Sequence, residues 1–313
     1  MNEVSNETRF LHAVEMGLGA WQWGDRIVWS YGQGYSDKDI REAFDFSLDL
    51  GIRFIDTAEV YGMGRSERLL GQFLKETEQP VLVATKFFPY PWRITKGFLP
   101  RAFKGRLERL GIESVDLYQI HWPSPNMSPE TMMEGMAECV KQGLTRTVGV
   151  SNFGHARMLR AYSTLAQHGI PLASNQVHYS LLSRAVEKNG TLARCKELGI
   201  RLIAYSPLEQ GLLTGKYSPE NPPPGVRGSR YAEFLKKIPP IIKIMREIGQ
   251  NHGKTISQVA LNWVICKGAL PIPGAKNPRQ AQENAGGAGW RLTDDEVAVL
   301  DEATDNFRPY SEG

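Results

Sequence analysis

Cysteine is scarce in this chain, with only Cys139, Cys195 and Cys266 among 313 residues. No two of them form a CxxC pair and no histidine stands at zinc-ligand spacing, so a disulfide scaffold and a zinc ribbon are excluded and reduced core thiols are expected. None of the six histidines belongs to an HExxH motif and there is no EF-hand loop, which leaves no dedicated metal site in prospect. An excess of charge is also missing: 37 Lys and Arg face 34 Asp and Glu, and a net +3 over this length gives no field for a polyanion. Nucleic acid is therefore not an expected partner. Long apolar runs are absent too. The most apolar segment, 259–266, is interrupted by Asn262 and is far shorter than the ~18–20 residues of a membrane span. Residues 1–9 mix Asn, Glu and Arg, with no pattern of a secretory or transit peptide, so a cytoplasmic setting without membrane contact is the default expectation.

What is present suits a folded domain. Hydrophobic residues make up 41% and charged residues 23%, a composition able to bury roughly three quarters of the unfolded surface. Short apolar segments rich in Val, Ile and Tyr alternate with longer stretches of helical period, the pattern of repeated βα units around a parallel sheet. Eight strands are predicted, over 14–20, 52–57, 81–87, 115–122, 147–151, 173–178, 201–206 and 270–273. Ile40, Ala43, Phe44, Ser47 and Leu48 share one helical face, and 103–110, 132–140 and 241–248 behave alike. Ser128 before Pro129 is a helix start, and Thr293 with Glu296 makes a capping box for a closing helix. One interval breaks the rhythm: about sixty residues between the seventh and eighth strands, including the run Asn221, Pro222, Pro223, Pro224, Gly225. A loop that long in a compact domain usually serves function.

Eight strands with interleaved helices in this length fit a (β/α)8 TIM barrel, an α/β fold, spanning 1–313 as a single domain. A doubly wound sheet needs a glycine-rich first turn, and Gly17, Leu18, Gly19 continues to Gln22 where the third glycine belongs. Gly253, Lys254, Thr255 resembles a phosphate loop, but Ile248 stands at its first glycine. In a barrel, chemistry gathers at the C-terminal strand ends. There the second strand runs into Asp56 and on to Tyr61, the third ends at Lys86, and the fourth at His121. Singly, each has an ordinary reading: Asp56 with Glu59 as a capping box, Lys86 as an exposed charge, Tyr61 as a loop anchor, His121 as a satisfied rim histidine. Together they make an acid site. A phenol with a pKa near 10 needs help to donate at pH 7, and bringing it near neutrality takes roughly 4 kcal/mol. Lys86 would favour the tyrosinate, Asp56 would keep the lysine charged, and His121 would donate to a carbonyl oxygen. With no nucleophile in the set, an external hydride from a nicotinamide is the natural reactant.

Six phrases then carry a family resemblance: Phe-Ile-Asp-Thr-Ala-Glu-Val-Tyr-Gly (54–62), Ala-Thr-Lys (84–86), Gln-Ile-His-Trp-Pro (119–123), Val-Gly-Val-Ser-Asn-Phe (148–153), Ala-Tyr-Ser-Pro-Leu (204–208) and Ile-Pro-Gly-Ala-Lys (272–276). From about residue 16 to 284 the chain resembles the aldo-keto reductase superfamily, and within it the plant plastid and cyanobacterial-type NADP-dependent members. The resemblance implies a barrel enzyme using NADPH to reduce aldehydes and ketones, with Asp56, Tyr61, Lys86 and His121 as its catalytic tetrad. It implies that Ser151, Asn152 and Gln176 hold the nicotinamide carboxamide, that Tyr205 stacks on its ring, and that Ala20 and Trp21 lie beside it. Ser206, Pro207, Leu208, Gln210, Gly211, Leu212 and Lys216 match the pyrophosphate segment, making the Pro/Gly loop a cofactor strap that Arg227 or Arg230 joins. Gly274, Ala275, Lys276, Asn277, Arg279, Gln280, Glu283 and Asn284 match the adenosine end. Lys276 and Arg279 near a helix start favour an anion, so NADPH is expected over NADH. Trp21, Trp29, Tyr31, Phe87, Phe88, Trp92 and Trp122 are expected to build an aromatic substrate mouth. Two other functions fit the same residues: a cofactor-binding regulatory subunit like the potassium-channel β subunits, which depart at the position of His121, and a Schiff-base barrel lyase using Lys86. The resemblance also raises a plastid stroma as an alternative compartment.

Overall fold

In a computed structural model, which describes residues 5–305 and 307, the eight apolar segments form strands β1 Gly17–Gly19, β2 Phe54–Asp56, β3 Leu82–Phe87, β4 Val115–Ile120, β5 Thr145–Ser151, β6 Leu172–His178, β7 Arg201–Tyr205 and β8 Leu270–Pro271. Every neighbouring pair is parallel and follows chain order. A bridge between Gly19 and Gly274, with the Gly19 amide donating to Pro273 O at 3.0 Å, joins the last strand to the first. The fold is the (β/α)8 barrel. The expected single-domain span of 1–313 runs at both ends past the described residues.

Several strands are shorter than the sequence predicts. β8 stops at Pro271 rather than Pro273 because prolines at 271 and 273 carry no amide hydrogen for the ladder. Past β2 the pairing thins but does not end, since Ala20 N donates to Asp56 O at 2.8 Å and Thr57 N to Ala84 O at 2.9 Å.

Side chains alternate across each strand, and this alternation builds the site. One layer of the barrel interior is apolar, formed by Phe54, Ala84, Leu117, Ala173, Ile203 and Leu270, with Leu11 of the short N-terminal helix packed into it. Two residues further along three of these strands, toward the C-terminal end, the inward positions become Asp56, Lys86 and Gln119. A larger cluster lies between strands and helices. It includes Ile40, Ala43, Phe44 and Leu48 from helix Asp37–Asp49, which starts in a Ser36–Asp39 capping box. Ser128 caps Pro129–Lys141 and Thr293 caps Asp294–Thr304, both as the sequence predicts.

The interval between β7 and β8 contains the helix expected at 241–248, but the long loop expected around it is shorter than the sequence suggests. Most of the interval is helical, in Val226–Lys237, Pro239–His252 and Ile256–Cys266. The longest irregular stretch is 206–225, and it contains the 3₁₀ segment Glu209–Thr214. Gly225, at φ +66°, ends the Pro/Gly run and lets helix Val226–Lys237 begin, while Pro239 at the first turn of the next helix divides the two. Cys139 and Cys195 are buried thiols and Cys266 is half-buried. No helix among the described residues is long and apolar enough to cross a membrane.

Candidate active site

Asp56 closes β2 and Lys86 stands at the inward face of β3, both without meaningful solvent exposure. The Lys86 ammonium pairs with Asp56 Oδ2 and donates to Thr57 O at 3.0 Å. The other carboxylate oxygen, Oδ1, accepts from Gln176 Nε2 at 2.8 Å and Gln119 Nε2 at 3.2 Å. Tyr61 returns to this pair on the loop after β2, where Gly62 and Met63 both take φ +53°. Gly62 is required there: a Cβ would sit 2.7 Å from Gly24 O. The Tyr61 hydroxyl lies 3.3 Å from Lys86 Nζ, and His121, just past β4, sets its ring perpendicular to Tyr61 with centroids 5.7 Å apart.

The electrostatics differ from the sequence expectation in one respect. Burial, with Asp56 adding to it, pushes the Tyr61 phenol well above its ordinary value, where Lys86 was expected to lower it. Burial likewise pulls Lys86 below its ordinary value, and Asp56 opposes that pull. His121 falls well below 6.5, first from burial and then from the Lys86 charge. The site therefore holds a protonated phenol against a cation, beside a neutral imidazole whose Nδ1 is buried and unpartnered. Glu59 makes no capping box. Its Oε1 accepts from the Phe88 amide at 2.6 Å and from Arg93 at 2.7 Å, and it pairs with buried Arg106, which fixes the loop after β3.

A cavity of about 940 Å³ opens over this cluster. Asp56, Tyr61 and His121 line it, together with Ala20, Trp21, Ser151, Asn152, Gln176 and Tyr205. Its wall continues through Ser206, Pro207, Leu208, Gln210, Gly211, Lys216, Arg227 and Arg230, and ends at Gly274, Lys276, Arg279, Gln280, Glu283 and Asn284. Leu212 and Ala275 are instead core residues without surface, and Asn277 caps helix Pro278–Ala285 by accepting from Gln280 N. Of the expected aromatic mouth, Trp21, Trp29, Phe88 and Trp122 line the cavity. Three others do not. Phe87 follows inward-facing Lys86 and so faces outward, beneath Arg93 and Arg106. Tyr31 packs edge-on against Tyr35, and Trp92 stacks on Tyr90 at 4.8 Å in solvent. Sequence reasoning missed Gln22, Val60, His178, Tyr217 and Ser257 on the wall. His178 was within reach, because it lies two residues past Gln176 on the same strand.

Two amides are already engaged. Gln176 donates to Asp56, while Asn152, at φ +61°, donates to His121 O at 3.0 Å and accepts from the Tyr205 hydroxyl at 3.0 Å.

The far end of the cavity is cationic. Lys276 Nζ lies 5.0 Å from the Trp29 ring centroid and 4.2 Å from that of Tyr35, and donates to Trp29 O at 3.2 Å. Burial, together with Arg227 and Lys216, lowers Lys276 to about 8. The Arg227 guanidinium sits 4.9 Å from the Trp29 ring centroid, with its Nε buried and unpartnered. Gln22 Oε1, Trp29 Nε1 and Gln210 Oε1 are also buried without partners along this wall. A half-buried ammonium depressed by burial and by its cationic neighbours, beside polar atoms without partners, fits a long, phosphate-bearing ligand reaching from the Tyr61 end to Lys276.

Comparison with known proteins gives the family. The model of the aldo/keto reductase family matches residues 15–305. The chain belongs to the aldo/keto reductase family. As a member it is an oxidoreductase. It is 42% identical to the chloroplastic pyridoxal reductase of Arabidopsis thaliana over 94% of this chain and 84% of that one, and 30% identical to the NADH-specific methylglyoxal reductase of Escherichia coli over 96% and 98%. An aldo/keto reductase from Klebsiella pneumoniae, solved with NADP and acetate, superposes with a TM-score of 0.73 at 27% identity, covering 96% of this chain and 93% of that one.

Proposed function

We propose that this aldo/keto reductase reduces aldehydes and ketones with NADPH, and that Tyr61 gives the proton. The observation that carries the reading is the Tyr61 hydroxyl 3.3 Å from the Lys86 ammonium, which Asp56 and Thr57 O hold in place at the cavity wall. The bound nicotinamide supplies the hydride. Tyr61 donates its proton to the carbonyl oxygen, and the Lys86 charge stabilises the phenolate that this leaves. Because burial pushes the phenol above its ordinary value, the acid is in its donating form at neutral pH. His121 is uncharged and offers an imidazole N–H to the same oxygen. Lys86 is committed to three oxygens as an ammonium, which disfavours a Schiff-base role.

Ser151, Asn152 and Tyr205 would hold the nicotinamide end; Ser206, Leu208 and Lys216 the pyrophosphate; Lys276, Arg227 and Arg279 the 2′-phosphate. The cation group around Trp29 supports NADPH over NADH, a preference that the NADH-specific relative shows is not uniform in the family. Trp21, Phe88 and Trp122 give the substrate side flat apolar walls, suited to aromatic aldehydes such as pyridoxal, the substrate in the name of the Arabidopsis relative. Loss of NADPH absorbance with a panel of aldehydes and ketones tests this reading. Turnover of at least one aromatic aldehyde is expected, and a Tyr61→Phe protein of unchanged kcat would remove Tyr61 from the mechanism.

A further inference from the structure

Glu209 and His178 take no part in the proton transfer, yet both are held in ways that cost free energy. Glu209 has no solvent-exposed surface although it carries a carboxylate. Its φ is +47°, and Ser206, Gln210 and Gly211 around it take φ values of +52°, +52° and +102°. Three of these four are not glycine, so the first turn of the strap is strained and persists only where its surroundings over-determine it.

His178 supplies much of that surrounding. It projects from β6 on the same face as Gln176, two residues on, and reaches the cavity wall. Its Nε2 lies 3.0 Å from Glu209 Oε2, and since a carboxylate only accepts, Nε2 is the donor. Ser180 Oγ donates to the same oxygen at 2.8 Å, and Ser183 Oγ sits 3.3 Å from Nδ1. Fixed at both nitrogens, the imidazole lies nearly parallel to the Tyr205 ring, with 7° between planes and 5.4 Å between centroids. Tyr205 then donates to Asn152, and Asn152 to the His121 carbonyl. The contacts thus run unbroken from the base of the strap to the backbone of His121.

We infer that the Glu209–His178 pair is a positioning clamp: it holds the Tyr205 ring and the strained strap turn in the shape that receives the dinucleotide. The inference rests on the NADPH reading above. Glu209, with Ser183, sets which way the imidazole faces, and the imidazole, with Ser180, sets where the buried carboxylate lies. A clamp of this kind acts on a site formed before binding, and its loss is read in cofactor affinity.

The test uses Glu209→Gln, which keeps shape but removes charge; His178→Phe, which keeps a flat ring beside Tyr205 but removes the donor; and the double variant. NADPH dissociation constants come from quenching of tryptophan fluorescence, and kinetics follow with a substrate of the wild-type enzyme. We expect Kd to rise about tenfold in His178→Phe and about threefold in Glu209→Gln. In the double variant Kd should stay near about tenfold rather than reach the product of the two, because both changes break one contact. The loss should fall on the KM for NADPH and not on kcat at saturation, a split that a general loss of packing would not give. Folded single variants with Kd within about twofold of wild type, or a double variant at the full product, would overturn the clamp. The imidazole ¹⁵N signals of His178 in cofactor-free protein separate this from failure of the functional reading. Signals unmoved by Glu209→Gln refute the clamp whatever the protein binds, whereas a wild type that binds no nicotinamide dinucleotide refutes the functional reading itself.

Discussion

Replacing Lys276 by Met should lower the preference for NADPH about tenfold and remove a specific pH dependence of its binding. In the free protein the ammonium is lowered from 10.5 to about 8 by burial and by Arg227 and Lys216. That fall corresponds to at most ~3 kcal/mol of disfavoured charge. Solvent on the exposed part of the side chain reduces the recoverable share to ~1–2 kcal/mol, or about tenfold in Kd. A phosphate seated against Lys276 restores the proton, so binding is tight where the free lysine is already charged and weakens as pH rises through 8. With the bound lysine titrating near its ordinary value, Kd for NADPH should rise about tenfold between pH 7 and pH 9. NADH lacks the phosphate and should bind with a flat profile. In Lys276→Met the NADPH profile should flatten too, with Kd at pH 7 weaker by about tenfold. Fluorescence titrations of both dinucleotides at pH 7, 8 and 9 measure this. A wild-type Kd constant over that range, or a Met variant whose preference for NADPH equals that of the wild type, would refute the assignment of Lys276 to the phosphate.

Tyr61→Phe should lower kcat by about 10²–10⁴ while Kd for NADPH stays within about threefold, measured by turnover and by fluorescence titration. Because burial keeps His121 neutral, kcat/KM for carbonyl reduction should show no histidine-like limb between pH 5.5 and 7.5; a limb near 6.5 that vanishes in His121→Asn would contradict it. Asp56→Asn leaves the Lys86 ammonium buried without its counter-ion, a change of the kind that costs ~3–5 kcal/mol, so calorimetry should find a Tm lower by roughly 5–10 °C together with near-complete loss of turnover.

Much of this was legible in the sequence, and what was not divides along a physical line. Parity along a strand decides which side chains enter the barrel, so a residue at a strand end is placed by counting in twos. Asp56, Lys86 and Gln119 follow two residues after Phe54, Ala84 and Leu117, and the same count assigns Phe87 to the outer face; on β6 a register shift beside Ala173 breaks the count, which reaches His178 only when it starts from Gln176. Phe87 was misassigned because an aromatic at a strand end was read for its chemistry and not its parity. Loop residues follow no such count. Trp29 reaches the cationic end because Asp25 gathers its loop, accepting from the amides of Ile27 and Val28 and from the Trp21 indole at 3.0, 2.8 and 3.1 Å. That knot is a tertiary fact with no period in the sequence. The direction of the Tyr61 shift escaped for a related reason: Lys86 and Asp56 act on the phenol with opposite signs, and only burial and distance decide the balance. The Asp56–Lys86 pair is thus written on the strands, where local geometry fixes it, while Tyr61 reaches that pair from the loop after β2. On the function proposed above, substrate and cofactor discrimination falls to loops such as 21–31 and 206–225, whose shapes depend on partners distant in the chain, so changes there should retune specificity while the proton-transfer group stays in place.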